Sequence, residues 1–206
     1  VERTDRKTQM DEKFKNTIFD LEFIEGIQNK ENGHIGCGLS IQKVIQKAID
    51  LNLEQVLFFE DDNKPMKDYQ KRWITTKLWL DTNLDKWDVF NGGALIKPYD
   101  LSGVELKYKI NDDINLLTAN YIHNTNWMYI NKSAFQKLLL WDPDVVRKKD
   151  FWGAIDRYIG QTKYFSNLVI VPFLSTQAKG YSNGQKKYSN KNAEVSVFTE
   201  TLNKFL

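Results

Sequence analysis

The chain has 206 residues and nearly balanced charge, with 29 Lys and Arg against 27 Asp and Glu and a net charge of +2. A hydrophobic fraction of 41% and an aromatic fraction of 13% exclude a disordered protein, and the length fits one α/β domain or at most two small ones. Scattered lysines argue against a nucleic-acid surface despite Arg147-Lys148-Lys149, the single Cys37 cannot form an intrachain disulfide, and no apolar run approaches a membrane span, so a soluble, cytoplasmic protein is expected.

Thr4-Asp5 can cap a helix from about Arg6 to Phe19, with Met10, Phe14 and Ile18 at helical spacing. A helix opening so close to residue 1 suggests that Val1 ends a first strand, and no signal peptide opens the chain. Leu21 to Ile24 reads as a short strand and Gly26 to Gly38 as a loop. Ser40 can cap a helix whose apolar face is Ile41, Val44, Ile45, Ala48 and Ile49. Gln55 to Phe59 is predicted as the central strand, Tyr69 to Leu80 as a helix, and Trp87 to Phe90 as a strand broken by Asn91-Gly92-Gly93. From Leu95 to Ile130 the pattern is β-like and loopy. A helix then runs from Asn131 or Ser133 through Leu140, another over Phe151 to Ile159, and a buried strand over Leu168 to Val171 ends at Pro172. Lys179 to Asn192 is polar and Lys-rich and suits a mobile loop, while Val195 to Leu206 could close the chain as a helix. Alternating strands and helices in the first half predict a parallel sheet with right-handed crossovers.

The apolar run Val56-Leu57-Phe58-Phe59 ends abruptly in Glu60-Asp61-Asp62. In open α/β sheets ligands bind beyond the C-terminal ends of strands. Three acids there repel one another unless a cation sits among them, and Mg²⁺ or Mn²⁺ takes oxygen ligands while keeping positions for phosphates. A solvated acidic turn before Pro65 fits the same residues, and both readings stand at this point. Gly36-Cys37-Gly38 before a helix could bind phosphate, but it lacks the dinucleotide fingerprint and the Walker lysine, so a turn with a buried thiol is the better account. His34 and His123 are the only histidines and have no metal-ligand spacing; His123 reads as a packed residue. Trp127 and Trp152 are candidates for a sugar-stacking surface, although most tryptophans are core. Asp150 and Asp156 lie on one predicted helix, and Asp156 follows the apolar Gly153-Ala154-Ile155.

These motifs resemble the glycosyltransferase family that contains bacterial lipooligosaccharide β-galactosyltransferases and collagen galactosyltransferases. Glu2-Arg3-Thr4-Asp5-Arg6 is similar to the family's opening, His34-Ile35-Gly36-Cys37-Gly38-Leu39-Ser40 to its Ile-Gly-Cys-x-Leu-Ser signature, and Glu60-Asp61-Asp62 to its acidic motif. Trp127-Met128-Tyr129-Ile130 with Ala134 and Leu138-Leu139 resembles its strand-to-helix segment, and Pro172, Gln177, Ser182 and Asn183 its C-terminal signature. The chain departs from it at Ile41-Gln42, where a His is usual, and at Asn183, where Asp is usual. The glycosyltransferase domain of a large algal virus that modifies capsid glycans is a related likeness, one that would place the chain in a host cytoplasm.

The resemblance implies one GT-A domain over 1–206, a Rossmann-like, mostly parallel sheet flanked by helices with a smaller acceptor-side β region. About 1–93 would bind the nucleotide sugar and about 94–206 the acceptor. It implies a UDP-sugar donor, a glycan or glycoprotein acceptor, Mn²⁺ or Mg²⁺, and inversion at the anomeric carbon. Asp62 and Glu60 would hold the metal or ribose with Asp61 in support, Arg3 and Arg6 would help hold the nucleotide, and Asp156 would be the general base. The Lys179 to Asn192 loop would close over the donor. Two alternatives come from other classes. Asp62-Asn63-Lys64 has the D-x-K spacing of metal-dependent nucleases, whose core also needs an acid on an adjacent strand, and a carbohydrate-binding module with a degenerate site is the other.

Overall fold

The computed structural model describes residues 4–94, 103–119, 122–147, 153–160, 163–178, 180–182 and 187–189. In chain order these form α1 (Thr4–Phe14), α2 (Gly33–Asp50), β1 (Gln55–Phe59), β2 (Asn63–Pro65), α3 (Tyr69–Thr82), β3 (Val89–Asn91), β4 (Glu105–Asn111), β5 (Ile114–Thr118), β6 (Trp127–Asn131), α4 (Lys132–Leu139), α5 (Pro143–Arg147), α6 (Ile155–Ile159), β7 (Asn167–Val171), β8 (Ser175–Gln177), β9 (Gly180–Ser182) and β10 (Lys187–Ser189). Six strands make one sheet in the order β1-β6-β3-β7-β5-β4.

The α/β class is as expected, but the mostly parallel, Rossmann-like sheet is not. Among the described residues only β3–β7 is parallel, and the other four neighbouring pairs of this sheet are antiparallel. Alternation of strand and helix did set direction, since β1 and β3 are both antiparallel to β6 and so run the same way. It could not reveal that β6, from the second half of the chain, lies between them. All five β6 residues are buried, so its apolar run does not alternate and gives no sign of antiparallel pairing. For the same reason β1 is an edge strand among the described residues, not the central one, and its five residues are half-buried.

Both faces of the sheet are covered, which is why β1, β3 and β6 can be apolar on each. On one face α2, α4 and α6 bring Ile41, Ile45, Phe135 and Ile155 against Val89, Met128 and Ile130. On the other, α1 and α3 bring Met10, Phe14, Trp73 and Leu80 against Phe90, Trp127 and Tyr129. Trp127 is fully buried and packs over Gly92, where a Cβ would stand 2.5 Å from the indole. It is core, not a stacking surface for sugars, and Trp152 lies outside the described residues.

Local chemistry moves several boundaries. The helix expected from Ser40 starts at Gly33, because the Asn32 side chain caps it by accepting from the His34 N–H at 2.9 Å. Gly36-Cys37-Gly38 is therefore helical and not part of a loop. A Cβ at Gly36 would stand 2.4 Å from the Ile27 carbonyl oxygen, and one at Gly38 2.3 Å from the Trp141 ring, so both glycines permit close packing. The first helix stops at Phe14 instead of Phe19: Asn16 takes a φ of 59°, and the Thr17 hydroxyl donates to the Phe14 carbonyl at 2.7 Å. Leu21 to Ile24 has strand-like residues but no ladder partner among the described residues, and is irregular. The supposed loop from Lys179 contains the antiparallel β9–β10 pair, whereas residues 179, 183–186 and 190–192 lie outside the description. So do Val1–Arg3, Asp150, the start of the helix expected from Phe151, and Val195–Leu206.

Candidate functional site at the strand ends

β1 and β3 end where β6 begins, so the turns after two strands meet the segment that leads into a third. The register Phe58↔Met128↔Asn91 continues outward, with the Glu60 N–H donating to the Asn126 carbonyl at 3.2 Å and the Gly92 N–H to the Trp127 carbonyl at 3.0 Å. Side chains alternate across a strand, so Glu60, Asn126 and Gly93 form a row on the face covered by α2 and α6. A Cβ at Gly93 would lie 3.1 Å from Asn126 Oδ1, as that row requires.

Glu60 is tightly held. The Thr125 hydroxyl and the Gln177 amide, at 3.0 Å, donate to its two carboxylate oxygens, and Cys37 Sγ lies 3.7 Å from Oε1. Burial pushes the Cys37 thiol well above its ordinary range, and the carboxylates of Glu60 and Asp156 push it the same way. The thiol therefore stays protonated as a donor to Glu60, not a nucleophile. Adjacent residues hold both acids at the strand ends, the Thr125 hydroxyl donating to Glu60 and the Asn124 N–H to Asp156. Asp156, half-buried in the first turn of α6, accepts from the Asn124 N–H at 3.2 Å and its neighbour Arg157's N–H at 2.8 Å.

Asp61 and Asp62 belong to a different flank. Arg6, from α1, pairs with Asp61 and lies 3.9 Å from Asp62 Oδ2. Lys13, two turns further along the same face of α1, donates to the Asn63 carbonyl at 2.9 Å. Its burial lowers the lysine pKa, and Asp62 works against that fall. The Ala178 N–H donates to the Asp62 carbonyl at 2.7 Å, which ties the acidic turn to the end of β8. The cation that three adjacent acids call for is thus supplied in part by Arg6.

Of the residues singled out in sequence, the fold brings together Arg6 with Asp61 and Asp62, and Glu60 with Asp156. Arg3 is outside the described residues. Among those described, no group of three or more His, Cys, Asp or Glu side chains is arranged to hold a metal ion. The donor set still suits Mg²⁺ or Mn²⁺ shared with phosphates, because such an ion needs only one or two protein carboxylates. His123 is buried, as a packed histidine would be. Sequence reasoning missed Lys13, Thr125 and the strand-end amides Asn91 and Asn126. Lysine, threonine and asparagine are too common for their types to signal a site, and only the position of the two asparagines at buried strand ends could have done so.

No protein-family model matches the chain, and no curated protein does. No helix of the described residues is long and apolar enough to cross a membrane.

Proposed function

We propose that the chain is a metal-dependent glycosyltransferase that moves a sugar from a UDP-sugar to a glycan or a protein-linked glycan, with inversion, on a GT-A-type scaffold with a donor side and an acceptor side. The observation that carries this reading is the chemical asymmetry of one strand end. Arg6 and Lys13 stand beside Asp61 and Asp62 on one flank, which suits a diphosphate and its cation. Glu60 and Asp156 stand among neutral donors on the other, which suits hydroxyl groups and proton transfer. The motif resemblance points the same way.

In this mechanism Asp62 would hold Mn²⁺ or Mg²⁺, which would supply stabilisation of the charge that develops on the leaving diphosphate, while Glu60, on the other flank, would face hydroxyl groups of the donor. Arg6 adds positive charge on that flank, and Asp61 orients Arg6. Asp156 accepts the proton of the acceptor hydroxyl as its oxygen attacks the anomeric carbon opposite the leaving group. Gln177, Thr125 and Cys37 fix the orientation of Glu60. The nuclease alternative needs a second acid on an adjacent strand, whereas the residue facing Glu60 across β6 is Asn126. The test is release of UDP from a panel of UDP-sugars, with Mn²⁺ and with chelator, alongside a DNA-cleavage assay. Metal-dependent UDP release supports the proposal; DNA cleavage without it overturns the proposal in favour of the nuclease.

A further inference from the structure

At the strand ends the buried Asn126 side chain, and Nδ2 of the buried Asn91, have no hydrogen-bond partner among the described residues. Asn126 is fully buried, and neither its Oδ1 nor its Nδ2 makes a hydrogen bond. Asn91, 1% exposed, has an Nδ2 in the same condition. Buried amides are almost always paired, and leaving one unpaired destabilises a fold. The backbone around Asn126 is fully engaged, its carbonyl accepting from the Glu60 N–H and from Asn63 Nδ2 at 2.7 Å, so the shortfall is confined to the side chain. Strand alternation puts both asparagines on the same face as Glu60.

We infer that Asn126, with Asn91, is the recognition site for hydroxyl groups of the donor's sugar, an inference that rests on the glycosyltransferase reading and deepens it. The chemistry selects a hydroxyl. An amide offers a donor and an acceptor, and a hydroxyl complements both, whereas a phosphate would leave Oδ1 without a donor. A phosphate beside Glu60 would also meet like charge, while Arg6 and Lys13 on the other flank attract it. The sugar and the diphosphate are thereby assigned to opposite flanks of the turn after β1. Both amides are closed off in the free chain, so the sugar enters with local opening, which slows association.

The inference predicts opposed effects of one substitution. Asn126→Leu removes the unpaired amide at similar volume, so the free protein melts about 3 °C higher. The same change removes the affinity that a sugar adds to UDP. The measurement is calorimetric titration of UDP, UDP-glucose and UDP-galactose with Mn²⁺ into wild type, Asn126→Leu and the smaller Asn126→Ala. Wild type is expected to bind at least one UDP-sugar about tenfold more tightly than UDP, and the variants to bind UDP normally and the sugars no better than UDP. If the variants keep the sugar's contribution, or wild type shows none, the inference is overturned while UDP binding leaves the glycosyltransferase reading standing. If wild type binds neither UDP nor a UDP-sugar, the underlying reading fails with it.

Discussion

Asp62 and Asp156 stand on opposite flanks of the same strand end, and their neutral variants separate binding from chemistry. Asp62→Asn removes one charge at constant shape. It is expected to abolish metal-dependent UDP-sugar binding while the melting temperature stays near wild type; titration with Mn²⁺ and with chelator checks this, and wild-type affinity in the variant removes Asp62 from the metal site. Asp156→Asn should lower turnover at least about 10²-fold with donor affinity unchanged, as loss of a general base does. Loss of donor binding in that variant would move Asp156 to the nucleotide site. The Glu60-Asp61-Asp62 turn was legible because an apolar strand stopped so abruptly. The division of its three acids between two flanks was not, since it depends on Arg6 and Thr125, which lie far away in sequence.

Elements are joined by contacts that leave measurable signatures. At the end of the sheet away from the site, Asp88 precedes β3 and is nearly buried. Burial alone would raise its pKa, but Lys137 and Ser133 of α4 and the Ser166 N–H outweigh that and hold the carboxyl below its usual range. A depressed folded-state pKa contributes stability above the unfolded value near about 4 and loses it as pH falls toward the folded value. Asp88→Asn should therefore destabilise the protein clearly at pH 7 and much less at pH 3, as followed by urea unfolding; a penalty independent of pH would mean that the contact is steric. At the α2–Trp141 contact, Gly38→Ala drives a methyl group into the indole ring and should cost about 1–3 kcal/mol. Gly26→Ala, whose Cβ would meet only the Ser40 hydroxyl at 3.6 Å, serves as the tolerated control in the same melts. Helices α2 and α4 were readable from their periodic apolar faces. The start of α2 was not, because two glycines that look like a loop are there to admit Ile27 and Trp141 at close range.

At the scale of the whole molecule, strands from residues 1–93 and from 94–206 interleave in a single sheet, and this interleaving creates the site. β6 lies between β1 and β3, so Thr125 and Asn126 reach Glu60 although three of the sheet's six strands, β3, β4 and β5, come between them in sequence. Sequence patterning gives strand existence and burial, but strand order depends on pairings between distant segments that composition does not encode. The α/β class was therefore legible and the antiparallel topology was not. The central claim, that the strand end binds a nucleotide sugar through a divalent cation, is tested most directly by the melting temperature of the intact chain with UDP-sugars, with and without Mn²⁺. A ligand at about 100 times its dissociation constant stabilises by about 2.7 kcal/mol, a readily measured shift. The account predicts such a shift with donor and Mn²⁺ together, and its loss with chelator and in Asp62→Asn. A melting temperature that does not respond to any UDP-sugar in the presence of Mn²⁺ would contradict it.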